Sequence, residues 1–363
     1  MELFEQMEEG DHEQLVLFRD RETGMKAIVA IHDTRRGPSL GGLRAVPYRS
    51  EAEALRDALL LSRSMTRKFA ALDLPYGGAK AVVLDEGSKG REAAMEALGR
   101  MVETLNGRYG TGPDAGTTPE DMALVRRTTS HVFGLPRKLG GPGGSGPATA
   151  AGVVGCLRAC LRETLGSDTL RSRTLAVQGL GSVGLALARI LVERGAHVVA
   201  ADRSADAAAR ACRELPGLEI VAADEILGLE VDAVSPCALG GVLTTETVAG
   251  LRCKVVAGGA NNQLQEERLA RELHDRGILW APDFVAGTGA ALLLPSPEDA
   301  PPSLEDIETH LDRSMTSILD RARQAGSTPL AAALSLTDER LASSPSPGLR
   351  PGTGRIERAG VIR

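Results

Sequence analysis

The chain has 363 residues, enough for about two domains with cores of their own. It is 42% hydrophobic and 25% charged, with a formal net charge of −6, which leaves no electrostatic case for nucleic acid or an anionic membrane as a partner. Only nine residues are aromatic, so the core must be built from Ala, Val, Leu and Gly, and the 42 glycines imply tight turns and close backbone approaches.

Five scattered cysteines (Cys156, Cys160, Cys212, Cys237, Cys253) form no CxxC pair and no Cys/His array with zinc spacing. Reduced thiols, no metal site and a cytoplasmic location are expected. The start, Met1-Glu2-Leu3-Phe4-Glu5, carries charge where a signal peptide needs an apolar stretch. No run approaches the roughly 18 apolar residues of a spanning helix.

In chain order, Gln14–Phe18 and Met25–Ile31 read as strands joined by a turn at Asp20–Gly24. Ser50-Glu51-Ala52-Glu53 reads as a capping box that opens a helix running to about Lys68, with either Leu55, Leu59, Ser62 and Met65 or Leu55, Ala58 and Leu61 on its inward face. After Pro75-Tyr76 and a Gly77-Gly78 turn, Lys80 opens an apolar strand over 80–84. Two ammonium groups brought together by helix, turn and strand can divide labour. One binds a carboxylate, and the other, with its pKa lowered by like-charge repulsion, acts as a base near neutral pH. Without context, two surface lysines are the commoner reading. A further helix is expected over 91–106. The breaker-rich stretch 134–147 marks a domain boundary.

Beyond it the rhythm changes. A helix over 148–165 ends at Gly166, and short strands then alternate with helices as far as Ala281. That alternation predicts a parallel sheet with helices on both faces. A helix over 304–324 is expected to return to the first domain, and the Ser/Pro/Gly/Arg-rich stretch 343–363 to be disordered. The division is therefore 1–140 and 141–300.

Gly179-Leu180-Gly181-Ser182-Val183-Gly184 is a GxGxxG that follows an apolar strand and opens an amphipathic helix. The next strand ends in Asp202, 18 residues past the last glycine. This context predicts a dinucleotide-binding turn: Gly179 for the bend, Gly181 for approach to the pyrophosphate, Gly184 for close helix packing, and helix N–H groups for the phosphates. Asp202 would accept from the adenosine ribose hydroxyls and repel a 2′-phosphate, favouring NAD over NADP. Arg203 beside it could receive that phosphate.

Taken together the chain resembles the glutamate/leucine/phenylalanine/valine dehydrogenases, in the phenylalanine/leucine branch that acts on apolar amino acids. The resemblance is carried by His12-Glu13-Gln14, Ala30-Ile31-His32-Asp33-Thr34 and Gly37-Pro38-Ser39-Leu40-Gly41-Gly42-Leu43-Arg44. It continues in the two-lysine segment, Thr111-Gly112-Pro113-Asp114, Pro147-Ala148-Thr149-Ala150-Ala151-Gly152, the GxGxxG, Pro236-Cys237-Ala238-Leu239-Gly240-Gly241, Gly259-Ala260-Asn261-Asn262-Gln263 and Ala281-Pro282-Asp283-Phe284-Val285. It implies an α/β protein of two domains: an N-terminal α/β domain for substrate and oligomerisation, and a Rossmann-type doubly wound dinucleotide-binding domain. It also implies a cleft that closes on the reactants, and a homo-oligomer.

The resemblance implies that Lys68 binds the substrate α-carboxylate, that Lys80 is the general base, and that Asp114 exchanges protons at the substrate nitrogen. Gly41 and Gly42 would let the backbone approach the substrate, with Leu40, Met65, Gly112, Gly287 and Ala291 beside it. Thr149 and Asn261 would hold the nicotinamide-ribose end of the dinucleotide, and Ser182, Val183, Cys237 and Ala238 would line its site. The implied reaction takes an L-amino acid, NAD and water to a 2-oxo acid, ammonia and NADH. Read alone, Asp114 would be a turn cap, Lys80 a lysine snorkelling from a strand end, and Cys237 a packing residue rather than a nucleophile.

The pattern breaks at Ala286-Gly287-Thr288-Gly289-Ala290-Ala291, where the family carries Asn-Ala-Gly-Gly. Gly287 stands at the asparagine position, and Pro295-Ser296-Pro297 follows soon after. Losing that amide removes a polar contact worth about 1–3 kcal/mol in a buried site. Two alternatives follow: a relative repurposed for a non-standard amino or keto compound, and a nucleotide-binding subunit without catalysis. Small residues at Gly112 and Ala291 favour a large or aromatic substrate side chain.

Overall fold

The computed structural model describes residues 2–293 and 302–344, and the structural statements below concern those residues. Pro295-Ser296-Pro297 lie outside them, as does the expected disordered stretch 343–363 from residue 345 onward. The chain divides into two units. One comprises residues up to Gly144 together with those from Thr337; the other comprises Ser145–Leu293 with Pro302–Leu336.

The first unit contains α1 (Leu3–Gly10), β1 (Gln14–Arg19), β2 (Lys26–Asp33), β3 (Ser39–Arg44), α2 (Glu51–Ala71), β4 (Gly77–Asp85), α3 (Arg91–Thr104), β5 (Tyr109–Pro113) and α4 (Pro119–Val125). The sheet order is β1-β2-β4-β3-β5. β1 pairs antiparallel with β2 and β2 with β4, whereas β3 lies parallel to both β4 and β5. Alternation splits the side chains between two cores. Ala27, Val29, Ile31, Ala79, Ala81 and Val83 face residues of α3 and α4, among them Met95, Leu98, Met122 and Val125. Ile28, Ala30 and Val82 face Ala54, Ala58 and Leu59 of α2. Both faces are covered, so β2 and β4 read as near-continuous apolar runs.

Gly77 and Gly78 form no turn; they are the first two residues of β4. A Cβ on Gly78 would lie 2.1 Å from the Thr66 amide nitrogen, so the strand and the backbone of α2 meet directly there. α2 runs three residues past Lys68, which sits in its last turn. Its N-cap differs slightly from expectation. Ser50 Oγ accepts from the Glu53 N–H, but the Glu53 carboxylate reaches back to the Arg49 N–H. At the other end the Arg340 guanidinium donates to the carbonyls of Ala70 and Ala71 at 2.7 and 2.8 Å, satisfying groups the helix leaves open.

The second unit begins with α5 (Gly146–Leu165), β6 (Thr174–Gln178), α6 (Ser182–Glu193), β7 (His197–Ala201), α7 (Ala205–Glu214), β8 (Glu219–Ile220) and β9 (Ala233–Pro236). α8 (Thr245–Gly250), β10 (Val255–Val256), α9 (Leu269–Asp275), β11 (Leu279–Trp280), α10 (Asp283–Ala286) and α11 (Leu304–Ala325) follow. The division between the units falls within α12 (Pro329–Ala342). The six strands lie in the order β11-β10-β9-β6-β7-β8, and every pair is parallel. The chain leaves β6 in one direction and returns through β9 in the other, so the carboxyl ends of these neighbours form a topological switch point. α11 does not return to the first unit, as the sequence suggested, but belongs to the second. It lies close along α5 because Gly155 has no side chain; a Cβ there would sit 2.3 Å from the Glu308 carbonyl. Among the described residues no helix is long and apolar enough to cross a membrane.

Candidate active site

In the first unit, three adjacent strands bring the chemistry together. Lys80 lies on β4, and Asp114 follows β5. Between them runs β3, where Gly42 pairs with Gly112 and Leu43 with Ala81. A side chain on Gly42 would block the crossing, since its Cβ would lie 2.7 Å from Asp114 Cβ and 3.1 Å from Lys80 Nζ. Without it, Lys80 Nζ reaches Asp114 Oδ2 at 2.6 Å. Arg44 Nε, two residues along β3, donates to the same carboxylate oxygen at 2.9 Å. Arg44 Nη1 donates to Asp57 Oδ2 of α2 at 3.0 Å, and the Tyr48 hydroxyl donates to that oxygen at 2.7 Å. The Asp114 backbone is fixed as well: its N–H donates to Thr117 Oγ1, which donates to the Leu43 carbonyl.

Burial lowers the Lys80 ammonium from the ordinary lysine range. Arg44 pushes the same way, and the attraction of Asp114 and Asp57 does not cancel the two. Burial alone would raise the Asp114 carboxyl, but Lys80 and Arg44 outweigh it and hold Asp114 down to about 2. Asp114 is thus an anion throughout the neutral range, and Lys80 is a cation that releases its proton more readily than a surface lysine.

The other substrate-side candidates fall differently. Lys68 and Met65 are half-buried on α2. Leu40 is fully enclosed, with its Cδ2 at 2.9 Å from the Cβ position of Gly110, so it packs in the sheet and is not an open wall. Gly41 is required by the sheet itself, since a Cβ would lie 1.7 Å from the Ala79 carbonyl. Gly112 is buried on β5. His32, to which the sequence assigned no role, hydrogen-bonds Thr66 Oγ1 through Nδ1 at 2.9 Å.

In the second unit the glycine-rich turn follows β6. Gly179 has φ +93° and no room for a side chain beside Ala238. A Cβ on Gly184 would lie 1.8 Å from the Gly179 carbonyl, whereas a Cβ on Gly181 would meet nothing within 4 Å. Gly181 caps α6 and no side chain caps that helix, so the N–H groups of Ser182, Val183 and Gly184 face an open stretch of backbone. Asp202 Oδ2 accepts from the Leu180 N–H at 2.7 Å and Oδ1 from the Ser204 N–H at 2.8 Å, which pins the carboxylate at the end of β7 with acceptor capacity remaining. Arg203 is exposed. Thr149 and Val183 both approach the Cβ position of Gly259. The Asn261 and Asn262 carbonyls press on Gly240, so the loop carrying Asn261 packs on the loop carrying Cys237 and Ala238. Burial raises the Cys237 thiol to about 11, consistent with packing rather than nucleophilic chemistry. An uncapped helix start beside an open glycine and a fixed carboxylate fits a pyrophosphate and a ribose diol.

Comparison with known proteins agrees with both halves. The profile of the Glu/Leu/Phe/Val dehydrogenase dimerisation domain matches residues 12–131. That of the glutamate/leucine/phenylalanine/valine dehydrogenase domain matches 140–210 and 206–328. The chain belongs to the glutamate/leucine/phenylalanine/valine dehydrogenase family. It is 40% identical over 365 residues to a leucine dehydrogenase of Bacillus cereus, covering 99% of each chain. It is 44% identical over 294 residues to a phenylalanine dehydrogenase of Caldalkalibacillus thermarum, covering 80% of this chain and 79% of the relative. The crystal structure of L-tryptophan dehydrogenase from Nostoc punctiforme superposes with a TM-score of 0.81 at 35% identity, covering 94% of this chain and 99% of the other. The protein is an amino-acid dehydrogenase, an oxidoreductase of two α/β units whose family implies a nicotinamide dinucleotide cofactor.

Against the family pattern, Gly287 closes α10 with φ −78°. A Cβ there would lie 3.0 Å from the Asp283 carbonyl and 3.3 Å from the Gly259 carbonyl, so an asparagine enters only if its neighbours shift by a few tenths of an ångström. Ala291 is buried, and its N–H donates to the Thr288 carbonyl. The sequence reading missed Arg44, Asp57 and Tyr48. Arg44 closes the Gly-Gly-Leu-Arg motif, but its partnership with Asp114 follows from strand order, not from spacing along the chain.

Proposed function

We propose that this dehydrogenase carries out NAD-dependent oxidative deamination of a large apolar or aromatic L-amino acid to its 2-oxo acid, and the reverse reductive amination. The observation that carries the reading is the 2.6 Å contact between Lys80 and Asp114 across Gly42. Lys68 binds the α-carboxylate as a cation. A nicotinamide dinucleotide held by the Gly179–Gly184 turn and Asp202 would supply the acceptor for the hydride on Cα. Lys80, once it has released its proton, takes one from the water that attacks the imine carbon. Asp114, already ionised, accepts and returns a proton at the substrate nitrogen, so that ammonia can leave.

Cofactor choice rests on Asp202, whose fixed carboxylate suits a free ribose diol and repels a 2′-phosphate. Substrate size rests on Gly112, which puts no side chain on that stretch of β5. The relatives named for leucine, phenylalanine and tryptophan point the same way. Exposed Leu3, Phe4, Leu17 and Leu60 in the first unit support self-association.

A second reading, a non-standard amino substrate, is favoured by Gly287, where the family's asparagine is absent and the space is tight. One panel separates the two: NADH formation from L-amino acids of graded size and from bulkier 2-amino acids, with NADP in parallel. Phenylalanine or leucine is expected to exceed valine in kcat/KM, and NAD to exceed NADP by about 10²-fold or more. A preference for valine, or equal use of NADP, would reject the corresponding part of the proposal; turnover of unusual substrates alone would select the second reading.

A further inference from the structure

Two cations, Lys80 and Arg44, share one oxygen of Asp114, at 2.6 and 2.9 Å. Nothing in the proposed chemistry needs the second. Arg44 cannot give up its proton in the working range, so it moves none itself. Its guanidinium is held from behind by Asp57 of α2, at 3.0 Å, and Asp57 is held in turn by the Tyr48 hydroxyl. The result is a row of alternating charge, Lys80, Asp114, Arg44 and Asp57, drawn from β4, the end of β5, β3 and α2. The helix that carries Asp57 also carries Lys68, 11 residues further on.

We propose that Arg44, seated between Asp57 and Asp114, is a positioning residue: it holds the Asp114 carboxylate in place beside Lys80 and governs how readily Lys80 gives up its proton during turnover. This rests on Lys80 being the base of the reaction. The physical reason is that an enclosed lysine in contact with a single carboxylate would be locked as an ion pair. A fixed guanidinium on that same carboxylate draws off part of its hold and repels the ammonium directly. Asp57 works the other way. It anchors Arg44, and its negative charge favours a protonated Lys80. Asp114, Arg44 and Asp57 act on Lys80 from neighbouring elements, and their influence on its proton follows their signs. Tyr48 adds no charge, because burial and Asp57 keep its phenol protonated.

Opposite signs make the proposal testable. Arg44→Gln and Asp57→Asn each remove one charge, and both disturb the same row of hydrogen bonds. A merely structural role predicts losses in the same direction. The proposal predicts opposite displacements of Lys80's titration. Two readouts apply to the full-length protein. The first needs no turnover: the titration of the Lys80 Cε resonance in protein labelled with ¹³C-lysine, assigned among six lysines by its absence in Lys80→Met. The second is the pH profile of kcat/KM for deamination. For Arg44→Gln both are expected to move to higher pH, with kcat/KM at pH 7 reduced about tenfold or more and recovering as pH rises. For Asp57→Asn both are expected to move to lower pH, and Arg44→Lys should restore most of the wild-type position. Same-direction shifts, or a pH-independent loss in Arg44→Gln, would overturn the proposal. If Arg44→Gln does not fold, Asp57→Asn and Arg44→Lys still carry the test. If no variant titrates differently while the wild type turns over normally, Arg44 is only structural. If the resonance shifts as expected in protein that turns over no amino acid, the proposed reaction fails and the charge row stands.

Discussion

In the proposed reaction, Lys80 is the residue on which the chemistry turns. Its substitution by alanine is expected to lower kcat/KM by about 10²–10⁴-fold, the usual worth of a general base, while dinucleotide binding to the second unit persists. Steady-state kinetics paired with a direct NADH titration checks this, and a loss below tenfold would place the base elsewhere. The sign of the pH dependence follows from the direction of its shift. Deamination needs the neutral amine, so kcat/KM rises with pH and levels off below the ordinary lysine value of 10.5, because burial has lowered the group. Asp114, held down to about 2, contributes no limb in the neutral range. Lys68 and Lys80 stand out in the sequence through the motif that holds them both, and Asp114 only through the family resemblance, since read alone it would be a turn cap. Arg44 and Asp57 do not stand out, because they meet Asp114 and each other only through the order β4-β3-β5 and the face on which α2 lies. The sequence also assigned the pressure on Lys80 to a like charge from Lys68. The structure puts enclosure first, with Arg44 as the cation that acts on it.

At the scale of elements, the long apolar pieces were readable and the glycine-rich ones were not. β2, α2, β6, α6 and β7 carry clear periodicity. β3 and β5, in contrast, contain Gly41-Gly42 and Gly110 with Gly112, which have no strand propensity of their own and pair only because neighbouring strands supply the ladder. The glycines separate into those that fill a structural need and those that leave a site open, and a matched pair of variants tells them apart. Gly78→Ala places a methyl 2.1 Å from the Thr66 amide, where only movement of the backbone of α2 can relieve it. A loss of about 3 kcal/mol is expected, at the upper end for overpacking, read as a lowered urea midpoint. Gly181→Ala meets no atom within 4 Å and needs no positive φ. Its stability should stay within about 0.5 kcal/mol of wild type, while dinucleotide affinity falls about tenfold or more as the methyl stands in the way of the pyrophosphate. Should Gly78→Ala unfold no more easily than Gly181→Ala, the close approach of β4 to α2 would be wrong.

For the molecule as a whole, the change of rhythm near residue 145 was visible as a run of breakers followed by strict alternation of strand and helix. The affiliation of α11 was not, because an amphipathic helix at the end of a chain shows one apolar face without showing what covers it. Its place in the second unit is fixed by Glu308, nearly fully buried, which accepts from Arg158 at 2.9 Å and Arg194 at 2.6 Å. These contacts tie α11 to both α5 and the end of α6. Glu308→Gln leaves two guanidinium groups facing a neutral amide. The cost should be about 2–3 kcal/mol, below that of a fully unpaired buried charge, because Arg158 keeps Asp168 at 2.6 Å and Arg194 is 39% exposed. That loss falls on the unit proposed to bind the dinucleotide, so mass action can offset it. A ligand that binds only the folded form stabilises by about 2.7 kcal/mol at a hundredfold excess over Kd. Urea unfolding of Glu308→Gln should therefore show a midpoint lowered without NADH and returned close to the unliganded wild-type value at saturating NADH. A midpoint that drops but does not respond to NADH would mean that the substitution disrupts the dinucleotide site itself, and that α11 shapes the turn at Gly179–Gly184 as well as covering α5.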